Sequence, residues 1–214
     1  MRPMEKRRLG IPGIGAAGWG EHICAFFYTK DELLKLTVPY IKAGLEDNEC
    51  CMWITGDPVT ENEAFQALEQ VLPNAHRYLV EKQLEIFPHT QWYFSSGNFD
   101  PKIVLDNWMS RAKHAQARGF AGLRITGNPF WLRGEQDWEE FGTYEQTVTQ
   151  SISNERVLAL CTYPIEICKI THVMQTLSSH RSALIAHNAD WQRHTAAIYA
   201  TPPTHLDGGL PNDS

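Results

Sequence analysis

The chain has 214 residues, 43% of them hydrophobic and 21% charged, with a net charge of −6. That is the balance of a globular domain with a full core, and the acidic surplus speaks against direct nucleic-acid binding, which needs clustered Lys and Arg. No apolar run reaches the roughly 20 residues that span a bilayer, and no secretory h-region opens the chain. The expectation is a cytoplasmic protein, away from membranes, whose five cysteines are reduced and buried thiols rather than a disulfide framework.

Residues 1–19 carry the only basic cluster, MRPMEKRRL, followed by the glycine-rich GIPGIGAAGWG. They are expected to form a flexible N-terminal segment. The glycines precede a strand instead of following one, which is the wrong side for a dinucleotide-binding turn. A strand over 22–28 then runs through a very short turn into a helix over 30–46, which Thr29 and Glu32 cap as a T-x-x-E box. Pro39 interrupts that helix at a cost in hydrogen bonding.

Next come a strand at 49–55, a helix at 60–71 with Thr60 and Glu63 as a second capping box, a strand near 84–87 and a helix at 101–117 after Asp100-Pro101. A strand at 120–126, a helix at 135–152, a strand at 156–162 and a helix at 164–177 complete the domain, set at 20–186. Runs such as CCMWIT and VLALCTY are apolar at nearly every position, as strands covered on both faces are. Alternation of this kind predicts an α/β fold, a three-layer α/β/α sandwich around a mainly parallel sheet. Residues 187–214 read as a C-terminal tail, disordered toward its Pro- and Gly-rich end.

In such sheets ligands lie beyond the carboxyl ends of the strands. The first turn there, FYTKDE, offers Thr29 and Lys30 but no glycine, so its amides cannot wrap a phosphate. Asp57 is the one acid at a strand end, which is thin support for magnesium and nucleotide hydrolysis. Tyr28, Trp131 and Tyr163, with Phe27, can wall an apolar pocket for a small organic molecule.

Arg124 lies inside an apolar strand and needs either a carboxylate, with Asp57, Glu32 and Glu145 as candidates, or a polar ligand head. His22 and Cys24 point to one face of their strand and can serve as metal or haem ligands. They can equally be a hydrogen-bonded histidine and a small buried hydrophobe. A cysteine nucleophile with a histidine base is a further reading, although residues two apart on a strand do not easily meet. The aromatic stripe Trp138, Phe141, Tyr144 and Val148 reads as core.

The pieces HICAFFYTKDELLKLTVPYIKAGLEDNECCMWITGD, GFAGLRITGNPFW, Tyr144-Glu145 and LALCTYP, in that order over about residues 20 to 185, resemble the MEDS family of sensory domains, named for methanogens, methylotrophs and the DcmR repressor. The resemblance implies a RecA/KaiC-like core that has lost its nucleotide-binding motifs. It implies a non-enzymatic sensor of small organic molecules, hydrocarbon derivatives among them, that needs no cofactor and uses positions such as His22, Cys24, Arg124 and Glu145. The flanks are too short for the DNA-binding or kinase modules that accompany such domains. Output is therefore expected through a partner, such as a histidine kinase or transcription regulator, or through homo-oligomerisation. The alternatives are a metal- or haem-dependent redox sensor using His22 and Cys24, and an enzyme, either a residual nucleotide hydrolase or a cysteine-dependent catalyst.

Overall fold

The fold was read from a computed structural model, which describes residues 5–187 and 190–195. A seven-stranded sheet forms its middle layer. Its members are β3 (His22–Phe27), β4 (Cys50–Thr55), β5 (Leu84–Pro88), β6 (Leu123–Gly127), β7 (Val157–Pro164), β8 (Ser182–His187) and β9 (Asp190–Thr195). The order is β5-β4-β6-β7-β3-β8-β9, parallel except for β9, which runs antiparallel to β8. β3, the first strand of this sheet in the chain, thus lies between β7 and β8, strands that enter more than a hundred residues later.

The central strands β3, β4, β6 and β7 are buried on both faces, and alternation of side chains sorts their residues into two cores. One face carries Ile23, Phe27, Cys51, Trp53 and Leu158 against α1 (Lys30–Glu46), α2 (Glu61–Glu69) and α3 (Ala75–Val80). The other carries Cys24, Met52, Ile125, Cys161 and Tyr163 against α4 (His89–Tyr93), α5 (Pro101–Ala117), α6 (Glu135–Ile152) and α7 (Ile170–Ser179). This is the expected three-layer sandwich.

Both expected capping boxes form. Thr29 accepts from the Glu32 amide and Thr60 from that of Glu63, while Asp100 accepts from the amides of Lys102 and Ile103. Each satisfies amides that the first helical turn leaves free. The last helix starts later than expected, at Ile170, because Pro164 closes β7 and a short 3-10 turn (Ile165–Ile167) follows.

The reading of residues 1–19 as a flexible segment is corrected from residue 5 onward. β1 (Lys6–Arg8) and β2 (Ala16–Gly18) form an antiparallel pair, and Leu9, Ile11 and Trp19 are buried in the α1-side core. Gly10, at φ +77°, passes so close to α1 that a Cβ would stand 2.2 Å from the Pro39 carbonyl oxygen. Gly10 thus serves close packing against α1 at Pro39. The tail expected at 187–214 begins instead as strand β9 as far as Thr195, pairing with β8. The rest of that expectation lies outside the described residues.

Candidate functional site

The position a phosphate loop would occupy is filled by the chain itself. The amides of Tyr28 and Thr29, at 2.7 Å and 3.4 Å, donate to one carboxylate oxygen of Glu32. Lys30 pairs with Glu63. A capping carboxylate at this helix start stands where an anion would bind and repels a second negative charge. Next to it, the gap between Leu33, Trp53, Thr55, Val59 and Thr126 is about 10 Å³, the space of about one water.

The pocket expected at the strand ends is corrected as well. Phe27 faces the α1-side core and Tyr28 is 66% exposed, whereas Trp131 and Tyr163 lie in the opposite core. Trp131 packs into a block of rings, Tyr93, Phe94, Phe99 and Phe141, at centroid distances of 4.9–5.6 Å. Tyr163 stands apart from that block, with its ring 6.0 Å from the ring of His180.

Arg124 is fully buried, but its partner is none of the three expected acids. It donates from Nε and Nη2 to the Glu49 carboxylate, at 2.5 Å and 3.1 Å, and to the backbone oxygens of Tyr40 and Arg8. Arg7 binds the same carboxylate at 2.7 Å. Glu49 thus ties the N-terminal strand pair to the sheet beneath α1, and Arg124 has a structural rather than a ligand-facing position.

The other face of the sheet holds a different cluster. His22, at the start of β3, Cys161 on β7, Glu145 on α6 and His180, just before β8, bring one donor atom each within 4.8 Å of one another, and all four are buried. Glu145 Oε2 is 3.1 Å from His22 Nε2 and 3.0 Å from His180 Nε2, and Cys161 Sγ is 3.3 Å from His22 Nε2. Cys24 pairs in register with Cys161, yet its thiol turns to the Ser182 carbonyl at 3.8 Å and stays outside the cluster. Of the expected pair, His22 is therefore at the centre and Cys24 is not; the thiol there is that of Cys161.

The surrounding hydrogen bonds fix the imidazole tautomers. Thr149 Oγ1 donates its single proton to the Ser179 carbonyl at 2.5 Å, so at 2.6 Å from His22 Nδ1 it can only accept. His180 Nδ1 lies 2.8 Å from the Thr176 carbonyl, which also only accepts. Both rings therefore donate from Nδ1, and the Nε2 of each is the ring atom that lies beside Glu145.

Burial, reinforced by the neighbouring His180, depresses the His22 pKa to about 4, so this ring is neutral at pH 7. Burial pushes the Cys161 thiol up. Burial would raise Glu145 too, but the two imidazoles prevail and hold it down, so it stays a carboxylate. Among the described residues, Glu145 Oε2 and His180 Nε2 make no hydrogen bond, and neither does the nearby Tyr163 hydroxyl. Unmatched polar atoms are costly in a protein interior and rare without a reason.

The sequence contained one signal for this centre. Trp138, Phe141, Glu145, Val148 and Ile152 follow a strict three-four spacing down the buried face of α6, with a carboxylate at its middle. His180 and Thr149 carried no local signal, because only strand order brings them near His22.

An open parallel sheet flanked by helices, with β3 between β7 and β8 and its phosphate-loop position closed, defines a KaiC-like α/β fold without the nucleotide loop. Solved structures agree on the fold. The KaiC-like protein PH0186 of Pyrococcus horikoshii OT3 superposes with a TM-score of 0.62 at 14% identity, over 89% of this chain and 86% of its own. The flagellar accessory protein FlaH of Methanocaldococcus jannaschii gives 0.55 at 10% identity, over 88% and 85%.

Residues 21–181 match the model of the MEDS family, the methanogen/methylotroph, DcmR sensory domain, and the chain belongs to that family. The transcriptional repressor DcmR of Methylorubrum extorquens (strain DSM 6343 / CIP 106787 / DM4) is 25% identical over 163 residues, which are 75% of this chain and 58% of the repressor. The chain thus spans little more than half the length of that relative. All four residues of the polar centre lie within the matched region.

Proposed function

We propose that this chain is a non-enzymatic sensory domain that takes up a small organic molecule at the buried centre between α6 and the sheet, and passes the signal to a transcription regulator. The observation that carries this reading is the set of buried polar atoms without a hydrogen bond there, Glu145 Oε2, His180 Nε2 and the hydroxyl of Tyr163, whose ring packs between those of Phe26 and Trp138. A few polar anchors within an apolar wall suit a small neutral molecule, which needs both. The regulatory output is supported by the family and by the similarity to a repressor.

Binding in a closed core would require α7 or the segment before β8 to move. Both Ser179 and His180 belong to that junction, so occupancy at His180 would be felt by the outer strands β8 and β9. The experiment is a thermal-shift screen with short-chain alcohols, aldehydes and haloalkanes on the wild-type protein and on Tyr163→Phe. Stabilisation by at least one compound, weakened in Tyr163→Phe, supports the reading. A flat response across the panel, or equal binding by the variant, counts against it.

A further inference from the structure

We propose that His22, Glu145, Cys161 and His180 together bind one divalent transition-metal ion of the zinc or iron(II) class. This deepens the sensory reading and rests on it only for the role of the site, not for its location.

The argument is one of donor geometry. Thr149 and the Thr176 carbonyl accept from the Nδ1 atoms of His22 and His180, which places the Nε2 of each ring beside one carboxylate oxygen, at 3.1 Å and 3.0 Å. Among the described residues, neither that oxygen nor His180 Nε2 makes a hydrogen bond. A proton shared between Glu145 and one ring would satisfy a single contact and leave the other unmatched.

A metal ion uses all four. Ligand atoms about 2.0–2.3 Å from a tetrahedral ion lie about 3.3–3.8 Å from each other, and the donors here already lie within 4.8 Å of one another, with the named contacts at 3.0–3.3 Å. Small side-chain adjustments would complete the geometry.

The donor set also selects the ion. Two imidazoles, one carboxylate and one thiolate suit a borderline transition metal, whereas magnesium and calcium require oxygen shells. On binding, the Cys161 S–H bond ionises, its proton leaves to solvent, and sulfur forms the metal bond. No electron changes hands. Thiolate and carboxylate together carry two negative charges, so a divalent ion makes the buried site neutral, which a low-dielectric interior favours. The Nδ1–H bonds to Thr149 and to the Thr176 carbonyl are the outer hydrogen bonds that orient imidazole ligands in metal sites. Four donors converging on a point fit one ion better than a haem, whose iron takes only axial ligands from protein.

The test uses the full chain without a histidine tag, titrated anaerobically with Co²⁺ alone and followed by its absorption spectrum. The expected result is one Co²⁺ per chain, with intense visible bands of a four-coordinate ion and a thiolate-to-cobalt charge-transfer band. Cys161→Ser should remove the charge-transfer band and keep the visible ones, Cys24→Ser should change neither, and His180→Ala should weaken binding by at least about 100-fold. Circular dichroism identifies any variant that has lost its fold, and the isosteric Cys161→Ser and Cys24→Ser pair carries the test if His180→Ala does not fold.

Failure to bind stoichiometric Co²⁺, or equal spectra from the two serine variants, overturns the inference. If Co²⁺ is not bound while an organic compound still stabilises the protein, only the metal inference falls. If Co²⁺ binds while the organic panel gives no response, the metal inference stands and the organic-ligand reading falls.

Discussion

Arg124, on β6, and Glu145, on α6, are both buried charges, and their side chains lie on opposite sides of the sheet. Arg124 points beneath α1 and is neutralised by Glu49, its carboxylate partner at 2.5 Å. Glu145 faces the opposite side from α6, and among the described residues its Oε2 lies beside two imidazoles without a hydrogen bond. One charge is structurally complete and the other is not, which is why function is placed at Glu145.

The completed pair has a testable consequence for stability. Arg124→Met leaves Glu49 buried with only Arg7 beside it, and removing one partner of a buried pair costs about 3–5 kcal/mol. The double variant Arg124→Met/Glu49→Leu, which buries no orphan charge, should recover much of that loss. Urea denaturation of the two proteins measures both, and a double variant no more stable than the single one would refute the pairing argument.

Gly44 and Gly142 should respond differently to alanine. At Gly44 a Cβ would stand 2.6 Å from Arg124 Cδ and Nε and 2.7 Å from Cys51 Sγ. Arg124 is held by its hydrogen bonds and cannot yield, so Gly44→Ala should destabilise by about 1–3 kcal/mol. At Gly142 the nearest atom is the Nε2 end of Gln175, a side chain that can swing aside. The helical preference for alanine, about 1 kcal/mol, then offsets the movement, and Gly142→Ala should melt close to the wild type. Thermal melts of the two variants in one buffer provide the comparison.

Thr149 orients His22 without being a candidate ligand itself. Thr149→Val removes the acceptor for the Nδ1 proton and frees the ring to change tautomer, so Co²⁺ affinity should drop by about 10–100-fold. Thr149→Ser keeps the hydroxyl and should restore it. A valine variant that binds as the wild type does would show that the hydrogen bond from His22 to Thr149 has no influence on the centre.

Nucleotide should have no effect. With Glu32 on the amides of Tyr28 and Thr29, and Lys30 engaged by Glu63, an incoming triphosphate meets the negative charge of a capping carboxylate. Millimolar Mg-ATP should leave the melting temperature unchanged, and a clear rise would show that α1 opens its N-terminus to phosphate.

The thiols should divide by burial. Cys24, Cys51 and Cys161 are enclosed and held protonated by burial, whereas Cys168 is partly exposed, with a pKa raised only to about 11. Mass spectrometry after brief alkylation of native protein should find Cys168 modified first, and Cys161 only after unfolding.

How much of this was written in the sequence depends on the range of the interaction. The capping boxes at Thr29 and Thr60, the apolar runs of β4 and β7 and the loss of the phosphate loop involve residues within a few positions of each other, so local chemistry determined them. The stripe Trp138, Phe141, Tyr144 and Val148 on α6 was visible too, but it read as core, and Glu145 entered only as a candidate partner for Arg124 and through the family resemblance. The partner of Arg124 was not visible, because Glu49 lies just before β4, elsewhere in the chain, and reaches the guanidinium only through the pairing of β4 with β6. Strand order alone decided that His22 meets Cys161, 139 residues away, and His180 at the next strand over. A parallel sheet sets its neighbours by long crossovers that no short window of sequence encodes, so the ligand types could be read in advance, but the site they form could not.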